Sequence, residues 1–171
     1  MAGGVRNSAT GILSDAKSEE REQIIEMLKK AYWMEIETVM SYISNSINPD
    51  GVRAQEIVES LQQDIQEELG HAQQFANRIK ELYGVVPGSL DFTAEQTYLQ
   101  PPEHQTDIVH VIKGVIEAET GAIEHYNAII EATDGVDFVT QDMVIAILRD
   151  EEGHRRLFEG YLREYEAEGL A

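Results

Sequence analysis

Glu67-Glu68-Leu69-Gly70-His71 and Asp150-Glu151-Glu152-Gly153-His154 are two copies of one pattern: an acid, a Glu, two further residues and a His. On an α-helix, residues three apart share a face, so Glu68 points with His71 and Glu151 with His154. One Glu-x-x-His is a weak signal in a chain with 23 Glu and 5 His. Placement gives the pair its meaning. Glu35 lies 33 residues before Glu68, and Glu119 lies 32 before Glu151. The first interval is centred in Asn48-Pro49-Asp50-Gly51 and the second in Thr133-Asp134-Gly135, both turn signals. If each turn joins antiparallel helices, the two Glu of each hairpin sit at one height. The chain then reads as two helical hairpins, each offering Glu from its first helix and Glu-x-x-His from its second.

The apolar periodicity extends this reading along the chain. Residues 1–17 are small and polar and are expected to form a flexible arm. Residues 18–171 are expected to form one all-α domain with helices over about 18–47, 52–83, 107–133 and 140–166. In the first helix Ile25, Leu28, Tyr32, Glu35, Val39 and Tyr42 recur at helical spacing, with Glu35 where an apolar residue belongs and Glu37 off the stripe. Ser18 reads as its cap. In the second helix the stripe is Ile57, Leu61, Ile65, Glu68, Ala72, Phe75, Ile79 and Leu82, and Gly84 is the stop signal. The third helix opens at Thr106-Asp107 and carries Ile112, Ile116, Glu119, Tyr126 and Ile130. The fourth is capped by Thr140 and carries Val144, Ile147, Glu151, His154 and Phe158.

Between the hairpins, residues 84–106 hold three of the four prolines and no long periodic pattern. Thr93–Leu99 could form a short helical turn. Extended, this segment reaches up to about 75 Å, whereas traversing the bundle takes about 40 Å. It can therefore act as a crossover that makes the second and third helices parallel.

Composition narrows the classes. The 171 residues suffice for one real core. There is no cysteine, which excludes disulfides and thiolate metal sites. The formal net charge of −19 disfavours nucleic acid and favours cations. Met1–Arg6 lacks the apolar core of a secretory signal, and no apolar run approaches the roughly 20 residues that span a bilayer. A cytoplasmic protein with no membrane partner is expected.

Four Glu and two His thus converge inside a bundle. Burying four carboxylates without countercharge would be very costly. Two divalent cations neutralise them. Oxygen and imidazole donors suit iron or manganese, with zinc as a further fit. At the higher oxidation state the added charge calls for an oxygen-derived anion, so the set is disposed toward two-metal oxidation with dioxygen or peroxide. Glu67 and Asp150 each precede a His by four and could accept its second N–H from the same helix. Tyr42 and Tyr126, each seven after a core Glu, read either as packed tyrosines with bonded hydroxyls or as donors to the site. His104, His110 and His125 lack matched partners and read as surface or packing residues.

The constellation Glu35…Tyr42, Glu68-x-x-His71, Glu119…Tyr126 and Glu151-x-x-His154 resembles the ferritin-like di-iron carboxylate family, in particular bacterioferritins and the small ferritin-like, Dps-like proteins. The resemblance spans about residues 19–166. It implies a ferritin-like four-helix bundle of two antiparallel hairpins joined by a long crossover. It implies two iron ions per subunit, with manganese as the alternative, and metal-binding and catalytic roles for Glu35, Glu68, His71, Glu119, Glu151 and His154. Glu68 and Glu151 would bridge, and Glu35 and Glu119 would be terminal. The implied function is a ferroxidase oxidising Fe(II) with dioxygen or peroxide for iron storage or detoxification, in a homo-oligomer.

The chain also departs from family patterns. Leu69 stands where bacterioferritins carry the haem-ligating Met, so haem is not implied. Absence of Cys, and Ala122 where rubrerythrins place an extra Glu, weaken a peroxidase analogy. Only 20 residues follow Glu151, so the fifth helix of 24-subunit shells is not expected. The alternatives at the same residues are a rubrerythrin-like peroxidase or di-metal oxygenase, and a non-catalytic helical metal-binding or scaffold protein.

Overall fold

A computed structural model describes residues 10–171. It contains four long helices: α1 (Ser18–Ile47), α2 (Gln55–Glu81), α3 (Ile108–Thr133) and α4 (Phe138–Ala167). Among the described residues there is no strand, and no helix is long and apolar enough to cross a membrane.

Two apolar clusters fill the bundle, and their membership gives the helix directions. One joins Ile24 and Leu28 of α1, Phe75 and Ile79 of α2, Ile129 of α3 and Val144 and Ile147 of α4. The other joins Tyr42 of α1, Ile57 and Leu61 of α2, Ile112 and Val115 of α3 and Phe158 of α4. Thus α1 and α4 run from the first cluster to the second, while α2 and α3 run the opposite way. Both hairpins are antiparallel, and α2 and α3 are parallel, as a single crossover requires. Glu35, Glu68, Glu119 and Glu151 all fall at the sequence midpoint between the two clusters. That is why one polar layer can sit inside an otherwise apolar core.

The termini of the elements correct several expectations. The arm expected over residues 1–17 lies outside the described residues at 1–9. Beyond it the chain is ordered against the bundle: Gly11–Leu13 and Asp15–Lys17 form 3-10 turns, and Ile12 is buried. Arg21 donates to the carbonyls of Ile12 (2.9 Å) and Ser14 (2.8 Å), satisfying backbone that would otherwise need water. Ser18 is the first helical residue and makes no side-chain cap. At the end of α2 the left-handed residue is Tyr83 (φ 68), while Gly84 donates to Ile79 O at 2.8 Å. Gly84 is required for a different reason: a Cβ there would lie 2.8 Å from Ile79 Cγ2. α4 starts at Phe138, capped by Asp137, whose carboxylate accepts from Thr140 N; Thr140 is not the cap. Asp107 caps α3 in the same way through His110 N.

The crossover has its single 3-10 turn at Ser89–Asp91 rather than over Thr93–Leu99. It lies against α1 and α3. Gly114 allows this closeness, since a Cβ there would meet Tyr98 O at 2.8 Å. Glu37, off the apolar stripe of α1, is nevertheless buried because the crossover covers it.

Candidate metal centre

The polar layer is buried. Glu35, Glu68, Glu119 and Glu151 are each 1–2% exposed, His71 3% and His154 8%. Their donor atoms form two groups, Glu35, Glu68, His71 and Glu151, and Glu68, Glu119, Glu151 and His154, the atoms within each lying within 4.8 Å of one another. Glu68 and Glu151 belong to both groups. The geometry is close to two-fold symmetric. His71 Nδ1 is 3.0 Å from Glu151 and 3.5 Å from Glu68. His154 Nδ1 is 3.2 Å from Glu68 and 3.6 Å from Glu151. Glu35 and Glu119 each lie 3.9 Å from the nearer imidazole Nδ1.

Both Nδ1 atoms, together with Glu68 Oε1 and Glu151 Oε1, are buried; they face each other in pairs at 3.0 Å (His71–Glu151) and 3.2 Å (His154–Glu68) without well-directed hydrogen bonds. Buried polar atoms are normally satisfied, and orphaned ones call for an explanation. Here the orphans face a common volume, and they are the lone-pair donors that a pair of divalent cations takes up. The residues present therefore fit such a pair.

Protons take the same place when no cation is bound. Burial, then the charges of Glu68 and Glu151, pushes the Glu35 carboxyl well above its ordinary value. Burial and the same two neighbours do likewise for Glu119. Burial alone would lower the pKa of His71, but Glu151 and Glu68 outweigh it and push it up to about 10. The same carboxylates push His154 up to about 12 against burial. Burial would raise Glu68, but the two imidazoles hold it well below the carboxylate range.

The flanking groups orient this set across helices. Tyr42 donates to Glu119 at 2.5 Å, and Tyr126 donates to Glu35. Burial first, then the adjacent carboxylates, raises both phenols well above 10, so both remain donors. The imidazole partners differ from expectation. His71 Nε2 meets Asp150 at 3.1 Å, and His154 Nε2 meets Glu67 at 3.1 Å, so each acid serves the histidine of the other hairpin. With Nδ1 turned to the carboxylates, each ring aims Nε2 across the α2–α4 seam, not down its own helix. His125 and His110 bond to the carbonyls of Met27 and Gln100, both at 2.9 Å, and His104 is exposed.

One site residue escaped the sequence reading. Asp64 is 5% exposed, its Oδ1 lies 3.7 Å from His154 Nε2, and its Oδ2 has no partner. Burial pushes its pKa up to about 6, against the opposing pull of His154. Its signal was available: it sits one turn before Glu68 on the same face.

Comparison with known proteins places this arrangement. The family described as "Ferritin-like domain" matches residues 25–167. The chain is 32% identical to a "DNA protection during starvation protein" of Pyrococcus furiosus, over 82% of this chain and 77% of that one. It is 24% identical to a bacterioferritin of Desulfovibrio desulfuricans, over 84% and 76% of the two chains. Its fold superposes on a dodecameric thioferritin of Bacteroides fragilis with a TM-score of 0.75 at 24% identity, covering 87% of this chain and 89% of that one. The chain belongs to the ferritin-like domain family.

Proposed function

We propose that the protein is a ferroxidase of the cytoplasm, which takes up Fe(II), oxidises it with dioxygen or peroxide, and delivers the ferric product for storage or detoxification. The observation that carries this reading is the convergence of four carboxylates and two imidazoles from four helices, with the donors of α2 and α4 left without a hydrogen bond. In this reading Glu35, Glu68, His71 and Glu151 would hold one iron ion and Glu68, Glu119, Glu151 and His154 the other, and the pair would supply the two-electron chemistry. Two Fe(II) supply two electrons, which matches reduction of dioxygen to hydrogen peroxide or of peroxide to water. Manganese fits the same donors.

The protein's own contribution is positional. Tyr42 and Tyr126 hold Glu119 and Glu35 by hydrogen bonds. Asp150 and Glu67 hold the imidazole rings, which fixes the nitrogen offered to metal. The apolar clusters above and below exclude water, which strengthens every charge interaction between them. The net charge of −19 favours approach of the cationic substrate.

We also propose a homo-oligomer. Met40, Ile43 and Ile47 expose an apolar stripe along α1 at helical spacing, 48–71% exposed. The thioferritin relative is dodecameric.

Aerobic addition of Fe(II) tests the function. Ferric absorbance should develop well above buffer autoxidation. Glu68→Ala should abolish the fast phase while leaving helicity intact, because Glu68 belongs to both donor groups. Wild-type rates equal to autoxidation would remove the ferroxidase reading.

A further inference from the structure

A small void of ≈ 10 Å³ lies beside Glu35, Glu68, Glu119 and Glu151, between the small side chains of Ala118 and Ala122. Its remaining wall includes Met34, Thr38 and Gln96. Met34 and Gln96 also line a groove of ≈ 700 Å³ bounded by α1, α3 and the crossover. The same two side chains therefore separate that groove from the centre.

Gln96 is held unusually firmly for a residue in a connection. Glu37 accepts the backbone N–H of Glu95 at 2.8 and 3.0 Å and that of Gln96 at 2.7 Å. The Gln96 Nε2 donates to Thr38 Oγ1 at 2.8 Å and to Met34 O at 3.4 Å. A carbonyl can only accept, so the amide nitrogen must face α1 and the amide oxygen faces away. Gln96 is 5% exposed, and its Oε1 is buried with no donor. An amide oxygen of this kind is a ligand type for a divalent cation.

The groove selects the sign of the visitor. Lys29 is committed to Glu26 at 2.7 Å. Asp91, Glu95 and Glu124 then face the groove against Lys30. We infer that Gln96 is the gate residue through which a divalent cation passes from this groove to the centre, with the Glu37-anchored crossover as its mount. The inference rests on the ferroxidase reading for the identity of that cation as Fe(II). Opening requires the side chain to leave Thr38 and Met34 while the backbone stays pinned.

Co(II), which dioxygen does not oxidise under these conditions, serves as the probe, followed by stopped-flow visible absorbance on the full-length protein. Losing the two latch bonds in Gln96→Ala should speed both entry and chelator-driven loss of Co(II) by about tenfold. Equilibrium affinity and stoichiometry should stay unchanged, which a merely structural defect would not produce. Gln96→Asn, which keeps the amide on a shorter stem, should fall between the two and covers the case of a poorly folding Ala variant. Entry and loss rates equal to wild type in both variants, or a change in only one of the two rates that shifts the affinity, would overturn the gate. Wild-type protein that takes up no Co(II) would instead sink the metal centre itself, and the gate with it.

Discussion

At the scale of single residues, the centre balances its charge in two ways. With protons, burial disfavours the charged forms of Glu35 and Glu119, and the neighbouring carboxylates favour the charged forms of His71 and His154. Two divalent cations would instead be matched by four ionised carboxylates and two neutral imidazoles. The sign of the pH dependence follows. His71 and His154 are raised to about 10 and about 12, above the ordinary 6.5, so the folded metal-free chain holds protons that the unfolded chain releases. That stabilisation is complete below pH 6.5 and is lost as pH rises through about 10 and about 12. Glu35 and Glu119, raised above 4.5, act in the same direction. The Tm of metal-free protein is expected to fall from pH 6.5 to 10. Metal binding displaces these protons, so the added stabilisation by Mn(II) should grow over the same window. Melts with and without Mn(II) check both; a metal-free Tm that rises with pH would contradict the charge balance.

That six polar side chains converge in the core was legible in the sequence because helical phase is local: a Glu in an apolar stripe stands out. The partners of the imidazoles were not. Glu67 and Asp150 were visible as acids one turn from a His, but which His each would meet depends on how α2 and α4 lie against each other. No periodicity within one helix contains that information. Asp64 lay in phase with Glu68, yet it had no counterpart in the second hairpin, where Ile147 occupies the equivalent position four before Glu151.

At the scale of elements, the sequence located the four helices and their order, whereas the crossover's contacts were hidden. Glu37 lies off the apolar stripe and reads as solvated; it is buried because a distant segment supplies two backbone N–H groups to it. A second such network joins α2 to the α3–α4 turn. Buried Arg78 donates to Thr140 and Asp137, both at 2.8 Å, and Asp137 also caps α4. Asp137→Ala removes the buried counterion of Arg78 and leaves it only the exposed Glu81 carboxylate at 2.9 Å, and the expected loss is about 3 kcal/mol. Chemical denaturation measures it; a loss under about 1 kcal/mol, the value of a cap alone, would show that the ion pair contributes nothing net. Glu37→Ala is expected to cost about 1–3 kcal/mol by leaving the buried Gln96 N–H unsatisfied. It should also increase amide exchange at Glu95 and Gln96, which hydrogen-exchange mass spectrometry can locate.

For the whole molecule, the apolar stripe Met40, Ile43 and Ile47 on α1 is one surface feature that the single chain leaves uncovered. Met40→Glu combined with Ile43→Glu should lower the mass measured by light scattering without altering the helical content of each chain. An unchanged mass would place the contacts between copies elsewhere. Sequence periodicity could show that this stripe is apolar but not that it stays exposed, since a bundle of four helices leaves some apolar faces outward by geometry.

The proposed function requires that one buried layer hold a pair of cations shared by Glu68 and Glu151. Anaerobic calorimetric titration with Fe(II) tests it most directly. An end point of two Fe(II) per chain, falling below one in Glu68→Ala, is the expected result. An end point below one Fe(II) per chain in the wild-type protein would contradict it.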